Sequence, residues 1–357
     1  MIYYNVADDL RDFPEAVMYF IIGGNRTGKT YSTLKYCYES GLKFTFIKRT
    51  AIDVRLICSG VRARGTITES DHDFNPFKDI NRDIGSNIHA ASIDSQVGVG
   101  GFWDYDEAGT AKGAPIGYIV SLSQIMKLKG FSLSDSDLMV FDEFIPVKGE
   151  VVKKDEGDAS LILYTLINNA RELEDPPRPS LKMIALANAM QLNAPLLHTL
   201  NLTDRIAGMK ERGESCLYMA DRRILIRLLD DNEEYRSQAA DRIGIFAATE
   251  GTRWKKTALD NEFAYDDFSQ IRPQSVKGLR PIYTIKYDMI NSMTAYKGRD
   301  IIYFCRTPAR VPEVDTDTDA GRLKFARMIF DLRPYLREGK LYCETFSQYA
   351  FIRDFKP

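Results

Sequence analysis

The residues Gly23-Gly24-Asn25-Arg26-Thr27-Gly28-Lys29-Thr30 have the types and spacing needed to hold a chain of phosphates. They fit G-x-x-x-x-G-K-[ST], where the glycines let backbone N–H groups close around phosphate oxygens at a helix start. Lys29 would reach the β- and γ-phosphates, and the Thr30 hydroxyl would ligate Mg²⁺. Asp142-Glu143 is the second chemically capable group, and it ends the apolar run Leu138-Met139-Val140-Phe141. Carboxylates at the carboxyl end of a buried strand lie where open α/β sheets bind ligands. There Asp142 can hold the Mg²⁺ shell through water, while Glu143 polarises the water that attacks the γ-phosphate. The chemistry these groups suit is hydrolysis of a nucleoside triphosphate. An Asn-Lys-x-Asp guanine motif is absent from the chain, which favours ATP over GTP.

Such residues work only if strands and helices place them together. Val17-Met18-Tyr19-Phe20-Ile21-Ile22 is apolar and branched, as a buried strand before the loop should be. Tyr31 to Ser40 continues without Gly or Pro, and Gly41 then stops a helix. Lys43 to Arg49 predicts a second strand, which ends in the adjacent bases Lys48 and Arg49. Arg55, Arg62 and Arg64 follow, either as a solvated basic face or as contacts to a phosphate backbone. Lys48, Arg49 and Arg55 are the candidates for contacts to a phosphate backbone, that of DNA under the resemblance described below. Gly65 to Gly117 predicts an irregular β insertion, and Gly117 to Gln124 a further buried strand. After a charged connector over Val147 to Asp158, a helix is expected from Ala159 to Leu173. Leu181 to Leu186 then forms a strand that leads to Asn188. Asn188 is either a γ-phosphate sensor of the additional-strand kind or the start of a turn.

The expected class is α/β: a P-loop domain over 1–228, a small helical linker over 229–257, and a C-terminal α/β unit over 258–357. Within that unit, strands are expected at Pro281 to Tyr287 and Asp300 to Arg306, and a helix at Ala320 to Leu336. With 357 residues and a net charge of −2, the chain has room for a sizeable core but no overall basic surface. Any grip on nucleic acid must therefore be local. No run of apolar residues is long enough to span a membrane, so no membrane partner is expected. Met1 to Pro14 lacks the basic start and apolar middle of a secretion signal. Five cysteines are scattered singly, which predicts a reducing cytoplasm and neither zinc nor a disulfide framework.

Taken together, several segments resemble the DNA-packaging ATPases of phi29-like phages, terminase-type motors of the additional-strand P-loop class. The resemblance rests on the loop Gly23 to Thr30, on Phe46-Ile47-Lys48-Arg49, and on Val120-Ser121-Leu122-Ser123. It continues through Val140-Phe141-Asp142-Glu143-Phe144-Ile145, Asn188-Ala189 and Leu259-Asp260-Asn261-Glu262-Phe263. The family's loop carries its arginine one place earlier than Arg26. The resemblance implies a homopentameric ring in the host cytoplasm, docked on the portal of a procapsid and driving double-stranded DNA inward, in some members through a structural RNA. It also implies ATP sites completed in trans, with an arginine finger at Arg171 and a second basic residue at Lys129. In the family the C-terminal unit is similar to a ribonuclease-H-like nuclease domain that has lost its metal-binding carboxylates.

Two other functions compete. A large terminase with a live nuclease would use some of Asp260, Asp266, Asp267, Asp288 and Asp300 to hold two metals. A nucleotide-gated DNA-binding or scaffold protein would have no need of a water-activating Glu143.

Overall fold

The computed structural model describes residues 3–60, 74–96, 98–127, 133–147, 150, 152–153, 155–172, 178–229, 252, 266, 268–287 and 291–355. The chain forms two compact units, Met1–Leu200 with Met209–Tyr265, and Asn201–Gly208 with Asp266–Pro357. The expected linker over 229–257 lies outside the described residues except for Leu229 and Thr252.

The first unit opens with α1 (Val6–Asp12), β1 (Met18–Gly23), α2 (Lys29–Glu39) and β2 (Phe44–Lys48). Next come α3 (Ala51–Ile57), α4 (Lys78–Ile84), the hairpin β3 (Ile88–Asp94) and β4 (Val99–Asp104), and β5 (Gly117–Ser121). They are followed by β6 (Leu138–Asp142), α5 (Glu156–Glu172), β7 (Lys182–Asn188), α6 (Pro195–Thr199) and α7 (Thr203–Arg212). The first residues of α7 group with the second unit and its end with the first. The hairpin β8 (Cys216–Met219) and β9 (Ile224–Leu228) completes a nine-stranded sheet, ordered β3-β4-β5-β2-β6-β7-β1-β9-β8.

Strands β5 through β9 in that order run parallel, while β3, β4 and β8 join antiparallel at the two sides. Parallel strands are covered on both faces, so they read as continuous apolar runs. Accordingly, Tyr19, Phe20, Ile21 and Ile22 of β1 are all buried, as are Leu138 to Phe141 of β6. Strand β7 lies between β1 and β6, so the strand before the glycine loop is not next to the one ending in Asp142. Beside β2, Phe44 packs on Phe102 at 5.7 Å and Phe77 on Phe102 at 5.3 Å, which seats the hairpin on the core.

Helix α4 stands within the segment expected to be an irregular β insertion, and two expected elements have shifted ends. β5 stops at Ser121 and gives way to a 3₁₀ turn over Leu122–Lys127, because Ser123 N–H donates to the Arg49 carbonyl at 3.0 Å. Helix α5 begins at Glu156, three residues before the expected Ala159, with Glu156 and Asp158 favourably placed in its first turn.

In the second unit, β10 (Arg280–Tyr287) and β11 (Asn291–Lys297) form an antiparallel pair, followed by β12 (Ile302–Cys305) and β13 (Glu313–Asp315). Helix α8 (Asp319–Arg337), β14 (Leu341–Cys343) and α9 (Phe346–Asp354) end the chain. The five-stranded sheet is ordered β13-β10-β11-β12-β14. Phe351 of α9 stacks on Phe325 of α8 at 5.4 Å and on Tyr287 at 4.6 Å, tying both helices to the sheet. Asp204 accepts from the Ser347 amide at 2.9 Å and from its hydroxyl at 2.8 Å, which is why the segment around it groups with this unit. Of the five aspartates that a nuclease would call on, Asp260, Asp267 and Asp288 lie outside the described residues. Among the described residues no group of three or more His, Cys, Asp or Glu could hold a metal, and no helix is long and apolar enough to cross a membrane.

Candidate nucleotide-binding site

The glycine loop leaves β1 at the carboxyl edge of the sheet and ends in α2. Gly28, the residue before the helix, has φ 87°, a left-handed backbone that glycine adopts without strain. Arg26, exposed at the loop tip, also has positive φ, at 59°. The loop is closed on itself: Thr27 Oγ1 donates to the Gly24 carbonyl at 3.0 Å, and the Thr27 carbonyl accepts from Tyr4 N–H at 3.0 Å. Lys29 Nζ folds back over it, donating to the carbonyls of Gly23 at 3.0 Å and Gly24 at 2.6 Å. It also reaches Thr27 Oγ1 at 3.0 Å and Asn188 Oδ1 at 3.3 Å. Asn188 is placed there by register, since β7 pairs it with Gly23 of β1. Burial pushes the Lys29 ammonium down to about 8, and the charge of Asp142 opposes that shift.

Thr30 Oγ1 donates to Asp142 Oδ1 at 2.9 Å, which brings the helix start and the end of β6 together. A hydroxyl and a carboxylate side by side are hard oxygen donors of the kind Mg²⁺ takes, with water and phosphate completing its shell. Glu143 follows with φ 59°, costly for a residue with a side chain, and its carboxylate is 59% exposed. It therefore stands out from the edge of the sheet, where a water could be oriented.

Lys48, expected from its type to grip DNA, instead lies inside this cluster. Its ammonium is 2.8 Å from Asp142 Oδ2 and 3.2 Å from Glu143 Oε2. Burial works against its charge, but the two carboxylates outweigh burial and hold it above the ordinary lysine range. The register explains the placement: β2 pairs with β6 in parallel, Ile47 opposite Phe141, so Lys48 falls level with Asp142.

Arg49, the second residue expected to grip DNA, likewise faces protein, being 9% exposed with its fork fully engaged. It donates to Glu156 and Glu150 at 2.8 Å each, and to the carbonyls of Glu143 and Phe144 at 3.0 and 3.2 Å. Arg55 is exposed on α3, a helix capped by the reciprocal pair Thr50 and Asp53, and so stays available to a partner.

Arg171 is not brought to the site. It sits in the last turn of α5, 2% exposed, and donates to the carbonyls of Pro179 and Ser136 and to Asp137 Oδ1 at 3.2 Å. Ser136 and Asp137 precede β6, so these contacts lie at the amino edge of the sheet, opposite Asp142. Arg178 joins the same carboxylate at 2.6 Å. In this structure Arg171 is a strut between α5 and the sheet. Lys129, the second residue expected to act in trans, lies outside the described residues, as do Arg62 and Arg64.

With this geometry in view, the fold can be compared with solved structures. The bacteriophage Phi-29 viral genome packaging motor assembly superposes with a TM-score of 0.62 at 16% identity, covering 100% of both chains. The chain has the fold of the phage packaging motors. The Phi-28 gp11 DNA packaging motor is similar too, with a TM-score of 0.59 at 13% identity and 99% of each chain covered. No family profile matches the chain, and no curated protein sequence matches it. The packaging-motor fold therefore spans both units of the chain, at an identity where shape persists after most side chains have changed.

Proposed function

We propose that the chain is the ATPase subunit of a motor that drives double-stranded DNA into a preformed viral capsid. The observation that carries this reading is the meeting of Lys29, Thr30, Asp142, Glu143 and Asn188 at one sheet edge, within a packaging-motor fold. In it, the loop amides and Lys29 hold the phosphates of ATP, while Thr30 and Asp142 supply oxygen ligands to Mg²⁺. Asn188 reports on the γ-phosphate, and Glu143 orients the attacking water. The position of β7 between β1 and β6 supports the additional-strand class. The working form in this reading is a ring of subunits, five by family resemblance, docked on the portal of a procapsid in the host cytoplasm, with or without a structural RNA. The second unit is a ribonuclease-H-like remnant in the same reading.

The test is ATPase activity with and without DNA, measured against protein concentration. Turnover that rises steeply with concentration and is stimulated by DNA supports sites built between subunits. A rate per subunit that is flat across concentration and indifferent to DNA would sink the motor reading.

The depressed Lys29 charge gives a pH dependence with a definite sign. Below its value of about 8 the free protein already carries the proton, and bound phosphates hold that proton in place. Above that value, binding must take up a proton. Affinity for an ATP analogue should thus be level below neutrality and fall by up to about tenfold per pH unit beyond pH 8. A fluorescent analogue titrated across this range, with Lys29→Arg as the pH-insensitive control, reads the effect. A flat profile would mean that Lys29 does not hold the phosphates.

For DNA, Arg55 is the described candidate. Arg55→Ala should lower the salt slope of DNA binding by roughly one unit and leave basal ATPase unchanged. An unchanged slope removes Arg55 from the interface.

A further inference from the structure

The preceding reading makes Glu143 the residue that orients water, but not what holds Glu143 in place. Its backbone is left-handed at φ 59°, a conformation that persists for a side-chain-bearing residue only where its surroundings impose it. Two anchors do so. On one side, Phe144 N–H donates to the Leu186 carbonyl at 3.1 Å, and the Phe144 ring packs edge-on against Phe20 at 5.5 Å. On the other side stands Arg49.

The Arg49 guanidinium reaches three parts of the chain from one rigid plane. Nη2 donates to the main-chain carbonyls of Glu143 at 3.0 Å and Phe144 at 3.2 Å. Nη1 pairs with Glu150 in the connector at 2.8 Å, and Nε with Glu156, the first residue of α5, at 2.8 Å. Glu156 is itself buried, and its other oxygen has no hydrogen-bond partner, so the carboxylate is committed to Arg49. A buried guanidinium whose donors are shared between two carboxylates and two consecutive carbonyls fixes their relative positions, because its fork is planar and preorganised. Lysine has no equivalent geometry. The neighbouring Lys48 meets the Glu143 side chain, so the end of β2 holds Glu143 by both its carboxylate and its backbone.

We propose that Arg49 is a positioning residue for Glu143, coupling the start of α5 to the water-orienting carboxylate through the Glu143 and Phe144 carbonyls. The inference rests on the ATPase reading above. Arg49 touches no reacting atom; it acts only through where it holds Glu143.

The test is a double-mutant cycle on ATP hydrolysis, with affinity for a fluorescent ATP analogue and the thermal midpoint measured alongside. Arg49→Ala should lower turnover by about 10²-fold, the scale of misplacing a catalytic group by an ångström, with analogue affinity within about twofold of wild type. In a Glu143→Gln background, the same substitution should lower the residual rate little further, because the group it positions is already disabled. Arg49→Lys keeps a cation against Glu156 but loses the fork. It should show the same kinetic pattern, and it carries the test if Arg49→Ala does not fold. Glu156→Gln, which loosens the far end of the link, should slow turnover in the same direction by a smaller factor. An active wild type in which Arg49→Lys hydrolyses ATP normally overturns the inference alone, as do equal losses in both backgrounds or a loss confined to nucleotide affinity. A wild-type chain that hydrolyses no ATP, with or without DNA, overturns the ATPase reading and this inference with it.

Discussion

Lys29→Ala is expected to abolish ATP hydrolysis and weaken nucleotide binding, whereas Glu143→Gln keeps binding and loses turnover by about 10²–10⁴-fold. The two differ because of where their charges stand. The Lys29 ammonium lies within the glycine loop, on carbonyls at 2.6 and 3.0 Å, where any bound phosphate must meet it in the ground state. Glu143 projects outward beyond the strand, where under the proposed reading it acts only as water attacks. The single Lys48 ammonium pairs with both Asp142 and Glu143, so Glu143→Gln removes one of two carboxylates from that cation while Asp142 stays paired. The fold should therefore survive the change. Equilibrium binding of an ATP analogue, measured beside steady-state phosphate release, separates the two roles. Normal hydrolysis by Glu143→Gln would remove Glu143 from the reaction and leave the water to be oriented by another group.

Arg171→Ala should unfold more readily than any substitution at the glycine loop. Removing the guanidinium takes one of its two cations from Asp137 and leaves the carbonyls of Ser136 and Pro179 without their donor. Breaking a buried charge pair of this kind costs about 3–5 kcal/mol. Only part of that range is expected here, since Arg178 still reaches Asp137, and about 3 kcal/mol is the working figure. The denaturant midpoint of the isolated protein reads it directly. An unchanged midpoint together with lost ATPase would show that Arg171 leaves these partners and acts at a neighbour's site. In that case, mixing Arg171→Ala with Glu143→Gln protein should restore some turnover, because some interfaces would then pair an intact Glu143 with an intact Arg171.

What was legible in the sequence was local. Val17 to Ser40 shows strand, loop and helix in order, and the apolar run into Asp142-Glu143 marks its own strand end, because each signal lies within a few residues. The strands at 281–287 and in the 300–306 region and the helix near 320–336 are legible for the same reason. β11 is less so, since Asn291, Ser292 and Thr294 interrupt its apolar pattern. The intrachain partners of Lys48, Arg49 and Arg171 were not legible because they lie far along the chain. Lys48 meets Asp142 across 94 positions, Arg49 meets Glu156 across 107, and Arg171 meets Ser136 across 35. A basic residue at a strand end looks the same whether it faces solvent or a carboxylate on the adjacent strand. Which strand is adjacent depends on the sheet order, and the order β2-β6-β7-β1 is set by packing across the whole unit.

That order also sets when the glycine loop can exist during synthesis. β1 pairs with β7 on one side and β9 on the other, yet β7 begins at Lys182 and β9 at Ile224. A chain that has emerged only as far as α2 has the loop residues but no strands to hold them. At the usual ~5–20 residues per second, the roughly 200 residues between β1 and β9 take about 10–40 s to appear. Until β7 emerges, β1 has neither of its two strand neighbours, and from then until β9 emerges it has only one. The strand that carries the glycine loop is thus enclosed on both sides only late, when β9 closes beside β1.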